Sequence, residues 1–181
     1  MKDETPRSFE RHFSQLTKLE LESYGNRDFF HPSSLILHPY LQVTQIDFYT
    51  HVGDKLHTVC QLVAKAYERN LKVLVFTPDA AISAKLDRML WTSSAIGFLP
   101  HALAGSDIAT ETPIIIDHQG DALSHDDVLV NLRNEWPPFF SRFQRLIEVV
   151  SVDENDRLAA RERYSFYRDR GYPIKSHNLG N

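Results

Sequence analysis

A single cysteine, Cys60, stands in 181 residues. That scarcity excludes an internal disulfide framework and the cysteine-rich zinc patterns, and it makes a reducing compartment the natural setting. Within LHTVCQLVAKAY the thiol reads as a small core residue rather than a reactive group. No apolar run approaches the roughly 20 residues a membrane helix needs, and the opening KDETPRSFERHF has no signal-peptide core, so a cytoplasmic chain is expected. A basic excess is missing too: 24 acidic against 20 basic residues leave a net charge of −4. Broad electrostatic capture of DNA is thereby disfavoured, and any basic site must be local.

Glycine is scarce, with seven in all, and the loop after the first strand-like segment reads THVGDKLHT. It contains neither GxGxxG nor GxxxxGK(S/T), so the backbone cradle for nucleotide phosphates is lacking and no cofactor is expected. The nine histidines include no pair at the spacing of a helical metal site such as HExxH, and no metal is expected. No serine or cysteine occupies a nucleophile-elbow context. Asp117, His118 and Asp121 in IIIDHQGD are the remaining candidates for acid and base chemistry at a strand end. Their plainer reading is a polar turn that caps the strand.

What is present is an alternation of strands and helices. Residues 1–43 carry scattered prolines and histidines without sustained period, and read as a disordered extension with a short helix around Phe9 to Leu21. From Thr44 the pattern sharpens: TQIDFYTH alternates like a strand, and DKLHTVCQLVAKAYER places Leu56, Val59, Cys60, Val63 and Tyr67 on one helical face. KVLVFT is a continuous apolar run typical of a strand buried on both faces. Thr77 and Pro78 then suggest an N-cap and first position for a second helix reaching Trp91 and burying Ile82, Leu86 and Leu90. GFLPH, TPIIID and DDVLVNLR read as short strands, WPPFFSRFQ as a turn with a short helix, RLIEVVSV as the last strand, and Asn155 to Arg170 as the closing helix. The expected fold is α/β, a mostly parallel central sheet flanked by helices over residues 44–181.

The closing helix is the basic exception in an acidic chain. Successive residues fall about 100° apart around a helix, so Arg157, Arg161 and Arg168 share one stripe, with Ala160, Tyr164 and Tyr167 on the neighbouring arc. A solvated face supported by Glu162 is the bland account. A receptor for an acidic ligand is the sharper one, because guanidinium groups suit carboxylate and phosphate and stack on flat rings.

The ordered series TQIDFYTH, KVLVFTPDAAISAKLDRMLW, GFLPHALAG, DDVLVNLR and LAARERYSFYR resembles the chi subunit of bacterial DNA polymerase III, over roughly Thr44 to Tyr172. LDRMLW, then FLPHALAG, then ARERYxxYR are specific jointly; each alone is weak. The resemblance implies a nucleotide-binding or helicase-like topology without a phosphate-binding loop, and a non-catalytic adaptor of the clamp-loader assembly. Two partners are implied, the psi subunit and the acidic C-terminal tail of single-stranded-DNA-binding protein, with DNA reached mainly indirectly. Arg157, Arg161 and Tyr164 match the family's tail site, with Arg168 on the same stripe; Trp91 and Phe98 match its psi surface. A lysine occurs at the position of Arg157 in the best-known relative, so charge is kept and donor geometry altered. A helicase-like repair protein shares the psi surface in some relatives.

Residues 1–43 depart from the family pattern, and Val43, whose codon can start translation in bacteria, is the expected natural start. Two other readings of the chain stay open at this point. One is a direct binder of single-stranded nucleic acid, with Arg157, Arg161 and Arg168 on phosphates and Tyr164 or Tyr167 stacked on a base. The other is a small hydrolase built on Asp117, His118 and Asp121.

Overall fold

Short runs of valine, isoleucine and leucine form strands that are buried on both faces, and their order along the chain sets a parallel sheet. A computed structural model describes residues 43–92, 98–121 and 124–180. The extension, with its expected helix over Phe9 to Leu21, lies outside the described residues. Along the chain run β1 (Gln45–Val52), α1 (Lys55–Tyr67), β2 (Val73–Phe76), α2 (Ala80–Thr92), β3 (His101–Leu103), β4 (Ile114–Asp117) and β5 (Val128–Asn131). A 3₁₀ turn at Phe140–Arg142 precedes β6 (Arg145–Ser151), α3 (Glu154–Asp169) and β7 (Ile174–Asn178). The seven strands make one sheet in the order β3-β4-β2-β5-β6-β1-β7, and every pairing is parallel.

Alternate residues of each strand serve opposite layers, because successive side chains leave a strand on opposite faces. Val73 and Val75 join a core with Val59, Cys60, Leu86 and Leu90 from α1 and α2. Leu74 and Phe76 join a second core with Ala160 and Tyr167 from α3 and with Phe140 and Phe143. Burial of a side chain such as Ile115 stabilises the sheet by about 1.5–3 kcal/mol. Cys60 belongs to the first core, and burial pushes its thiol up to about 11, which leaves it protonated and inert at neutral pH.

Strand β3 covers His101–Leu103 rather than GFLPH, and the structure departs from the sequence reading at three further places. Helix α2 is capped by Asp79, whose carboxylate accepts from Ile82 N at 2.8 Å, rather than by Thr77. The Thr77 hydroxyl is already engaged with Ser83 Oγ at 2.6 Å and the Asp117 carbonyl. That hydroxyl pair takes the inner position, so Ser83 is buried and Ile82 only half-buried. Beyond the expected last strand, β7 adds itself beside β1, pairing Ile46 with Ile174 through Thr50 with Asn178. Its sequence IKSHN lacks an apolar alternation because it is an exposed edge.

Candidate functional site

Helix α3 starts where β6 ends, and its first turn is fixed by two aspartates. Asp153 caps it, accepting from Asn155 N at 2.9 Å and Asp156 N at 3.2 Å. Asp156 accepts from Ser151 N at 2.7 Å and Ser151 Oγ at 2.8 Å, and Lys55 Nζ lies 3.0 Å away. Burial works against ionisation of Asp156, but the Ser151 hydrogen bonds and the Lys55 charge outweigh it and hold the carboxyl below its ordinary value. The start of α3 is thus locked to both β6 and α1.

From that anchor the next two turns of α3 form one wall of a groove. Arg157, Ala160, Arg161 and Tyr164 face Phe48, Thr50 and His51 of β1, Val150 and Ser151 of β6, and Ser176 of β7, around a volume of about 180 Å³. Phe48, Val150 and Ala160 are buried and make an apolar floor. The Tyr164 ring meets Phe48 edge-on at a centroid distance of 5.3 Å, which fixes the phenol at the rim. His51 adopts a left-handed backbone, φ 58°, rare for a residue with a side chain.

Both guanidinium groups lean on one carboxylate. Arg157 Nη1 donates to Glu154 at 2.8 Å, and Arg161 Nη1 is 3.5 Å from the same residue. All three side chains are substantially exposed, and such pairs contribute about 0–1 kcal/mol. A better-placed anion in the groove can therefore recruit these arginines at small cost.

Arg168 lies outside the groove lining; its guanidinium donates to Asp169 Oδ1 at 3.0 Å from Nε and 2.9 Å from Nη2. Tyr167 is buried, and its hydroxyl donates to Glu148 at 2.8 Å, so only Tyr164 of the tyrosine pair reaches the groove. Burial, and then the neighbouring Glu148 charge, push the Tyr167 phenol well above its usual range. The sequence reading missed Arg163, which is 1% exposed and bonds Glu148 through Nε at 2.9 Å. A usable signal was Glu148 itself, since a carboxylate in the middle of the buried run RLIEVVSV demands a cationic or donor partner. Burial pushes the Glu148 carboxyl up, against the pull of the Arg163 charge and of donated hydrogen bonds from Tyr167, Asn131 and Arg163.

Trp91 and Phe98 form a separate patch. They are 58% and 62% exposed, with ring centroids 5.1 Å apart. Buried His101 meets Trp91 edge-on at 5.1 Å and is itself held by the Leu99 carbonyl at 2.6 Å. The rings stand exposed above buried His101 rather than folded into the core.

The acid–base trio does not converge. The Asp117 carboxylate accepts from Gln119 N at 2.8 Å and Gly120 N at 3.0 Å, which makes it the cap of its own turn, while Asp121 is exposed. Among the described residues no group of three or more His, Cys, Asp or Glu side chains is placed to hold a metal ion, and no helix is long and apolar enough to cross a membrane.

Comparison with solved structures gives the fold. Domain 2 of the DEAD-box helicase Mss116p bound to an RNA duplex superposes with a TM-score of 0.54 at 14% identity, over 77% of this chain and 65% of that one. The C-terminal domain of S. cerevisiae Dbp5 gives 0.50 at 11% identity, over 77% and 92%. The parallel α/β sheet is thus helicase-like in topology. DNA polymerase III subunit chi of Pseudomonas aeruginosa is 34% identical over 141 residues, 76% of this chain and 98% of that one. The subunit chi of Haemophilus influenzae is 34% identical over 122 residues, 67% and 85%. That of Escherichia coli is 30% identical over 119 residues, 65% and 81%. The family described as DNA polymerase III chi subunit, HolC, matches residues 43–175. The chain belongs to this family, and with it to the accessory machinery of DNA replication.

Proposed function

We propose that the chain is a non-catalytic adaptor whose α3 groove takes the acidic C-terminal tail of single-stranded-DNA-binding protein and whose Trp91–Phe98 patch takes the psi subunit of the clamp loader. The observation that carries the first half is the pairing of Arg157 and Arg161 on the rim with an apolar floor of Phe48, Val150 and Ala160. A tail that is acidic and ends in an apolar residue with a free carboxylate matches both parts. Its last side chain fills the floor. Its carboxylates displace Glu154 from the two guanidinium groups, and the planar fork of each can grip both oxygens of one carboxylate.

The second half rests on exposure. Large aromatic rings held outward are typical anchors of protein interfaces, where desolvating them on a partner returns the most free energy. A stoichiometry of one chi per psi follows the family pattern.

Fluorescence anisotropy of a labelled peptide copying that tail tests the reading directly. Wild type binds saturably, and Arg161→Ala loses about 1.5–3 kcal/mol, tenfold or more in affinity. Wild type that ignores the peptide but binds single-stranded DNA through the same arginines, with steep salt dependence, contradicts it.

A further inference from the structure

The buried polar cluster beneath α3 reaches beyond the groove. Glu148 is 0% exposed and bonded to Arg163, and a fully buried ion pair is by itself weak support for stability. Its outward hydrogen bonds all go to one loop. Arg163 Nη1 donates to the Asn134 carbonyl at 2.8 Å, and Asn131 Nδ2, itself on Glu148, donates to the Glu135 carbonyl at 2.9 Å. These two carbonyls immediately precede Trp136. The cluster therefore fixes the backbone that presents this indole.

Trp136 is 42% exposed and lies flat on Phe166, with centroids 4.0 Å apart and planes 10° from parallel. The Arg170 guanidinium packs over the Phe166 ring, 3.6 Å from its centroid, which completes a stacked column. The exposed part of Trp136 borders a cleft of about 220 Å³ beyond the carboxyl ends of β2, β4 and β5. Open parallel sheets bind their ligands at such ends. Gly120, at φ 88°, contributes bare backbone to this cleft; a Cβ there would stand 2.9 Å from Phe139. Arg133 lines the same cleft with its guanidinium over Phe76, and a single long contact of 3.4 Å to the His118 carbonyl leaves donors for an anion.

We propose that this cleft binds one nucleotide unit, the base stacked against Trp136 and its phosphate on Arg133. A flat apolar platform next to one guanidinium is the chemistry by which proteins hold unpaired nucleotides without reading sequence. One arginine and no glycine-rich loop serve a single phosphate rather than a polyphosphate tail, which favours a strand of single-stranded DNA over a free nucleoside triphosphate. Glu135 on the rim opposes additional phosphates and keeps the contact modest. The site shares no residue with the tail groove, so it stands or falls separately from that reading.

The chain has two tryptophans, so Trp91→Phe leaves Trp136 as the only indole reporter. Titrating that variant with an oligothymidylate of about 15 nucleotides quenches its fluorescence saturably. In anisotropy with the labelled oligonucleotide, Trp136→Ala weakens binding roughly tenfold or more and Trp136→Phe, which keeps a stackable ring, weakens it far less. Arg133→Ala lowers the slope of log affinity against log salt by about one. Thymidine monophosphate that quenches as well as the oligonucleotide at equal nucleotide concentration also supports the cleft and assigns it to free nucleotides; a far weaker effect assigns it to the strand. Absence of quenching by either, or oligonucleotide affinity unchanged by Trp136→Ala and Arg133→Ala, overturns the proposal.

Discussion

Arg161 and Arg163 stand two positions apart on α3, which turns them about 200° from each other around the helix axis. The first projects from the groove rim, exposed and loosely paired with Glu154 at 3.5 Å. The second is buried, with Nε on Glu148 at 2.9 Å and Nη1 on the Asn134 carbonyl. Identical side chains thus occupy opposite electrostatic regimes. Water screens the first, so its ion pair contributes little to folding and its charge stays available to a ligand. Desolvation makes the second indispensable once its partner is present, because removing it strands a buried carboxylate. On the proposed reading, the arginine that meets the ligand is the one that the fold does not need.

That contrast can be broken most sharply at Arg163. Arg163→Met should destabilise the chain by about 3–5 kcal/mol in urea unfolding, and Glu148→Leu in the same chain should recover most of that loss, because an apolar pair removes the stranded charge. A single variant as stable as wild type would show that Glu148 does not depend on its partner. The next largest effect is expected at the patch on the opposite layer: Trp91→Ala should cost about 2–4 kcal/mol in psi binding, measured by isothermal titration calorimetry, with stability changed by less than about 0.5 kcal/mol. Loss of stability without loss of binding would make Trp91 a structural residue of α2 rather than a partner anchor.

A smaller effect sharpens the comparison at the anchored end of α3. Asp156 has its carboxyl held below the ordinary value in the fold. Its contribution is therefore fully present above the unfolded value of about 3.9 and is lost as pH falls through the lower folded value. Asp156→Asn should cost about 1–2 kcal/mol at pH 7, and the gap from wild type should narrow in unfolding curves taken at progressively lower pH below about 4. A gap independent of pH would remove the linkage.

Much of this architecture is legible in the sequence for a physical reason. Strands buried on both faces must be apolar throughout, which makes KVLVFT, TPIIID and DDVLVNLR visible without any partner. Arg157, Arg161 and Tyr164 come together because helical spacing alone puts them on one face. The groove's other wall was not visible, since Phe48 and Val150 reach α3 only through the pairing of β1 with β6. Arg163 was hidden among four neighbouring arginines that look alike until burial separates them. β7 was hidden because an edge strand carries no apolar pattern, and Trp136 on Phe166 because thirty residues separate the two rings in the chain.

The central claim is that the groove reads a free C-terminal carboxylate with Arg161. Calorimetric titration of the acidic tail peptide as the free acid and as its C-terminal amide, against wild type and Arg161→Ala, tests this in one cycle. The account predicts that amidation weakens binding to wild type about tenfold or more and that this penalty largely disappears in Arg161→Ala. Equal affinities of acid and amide for wild type, or an undiminished penalty in the variant, would contradict it.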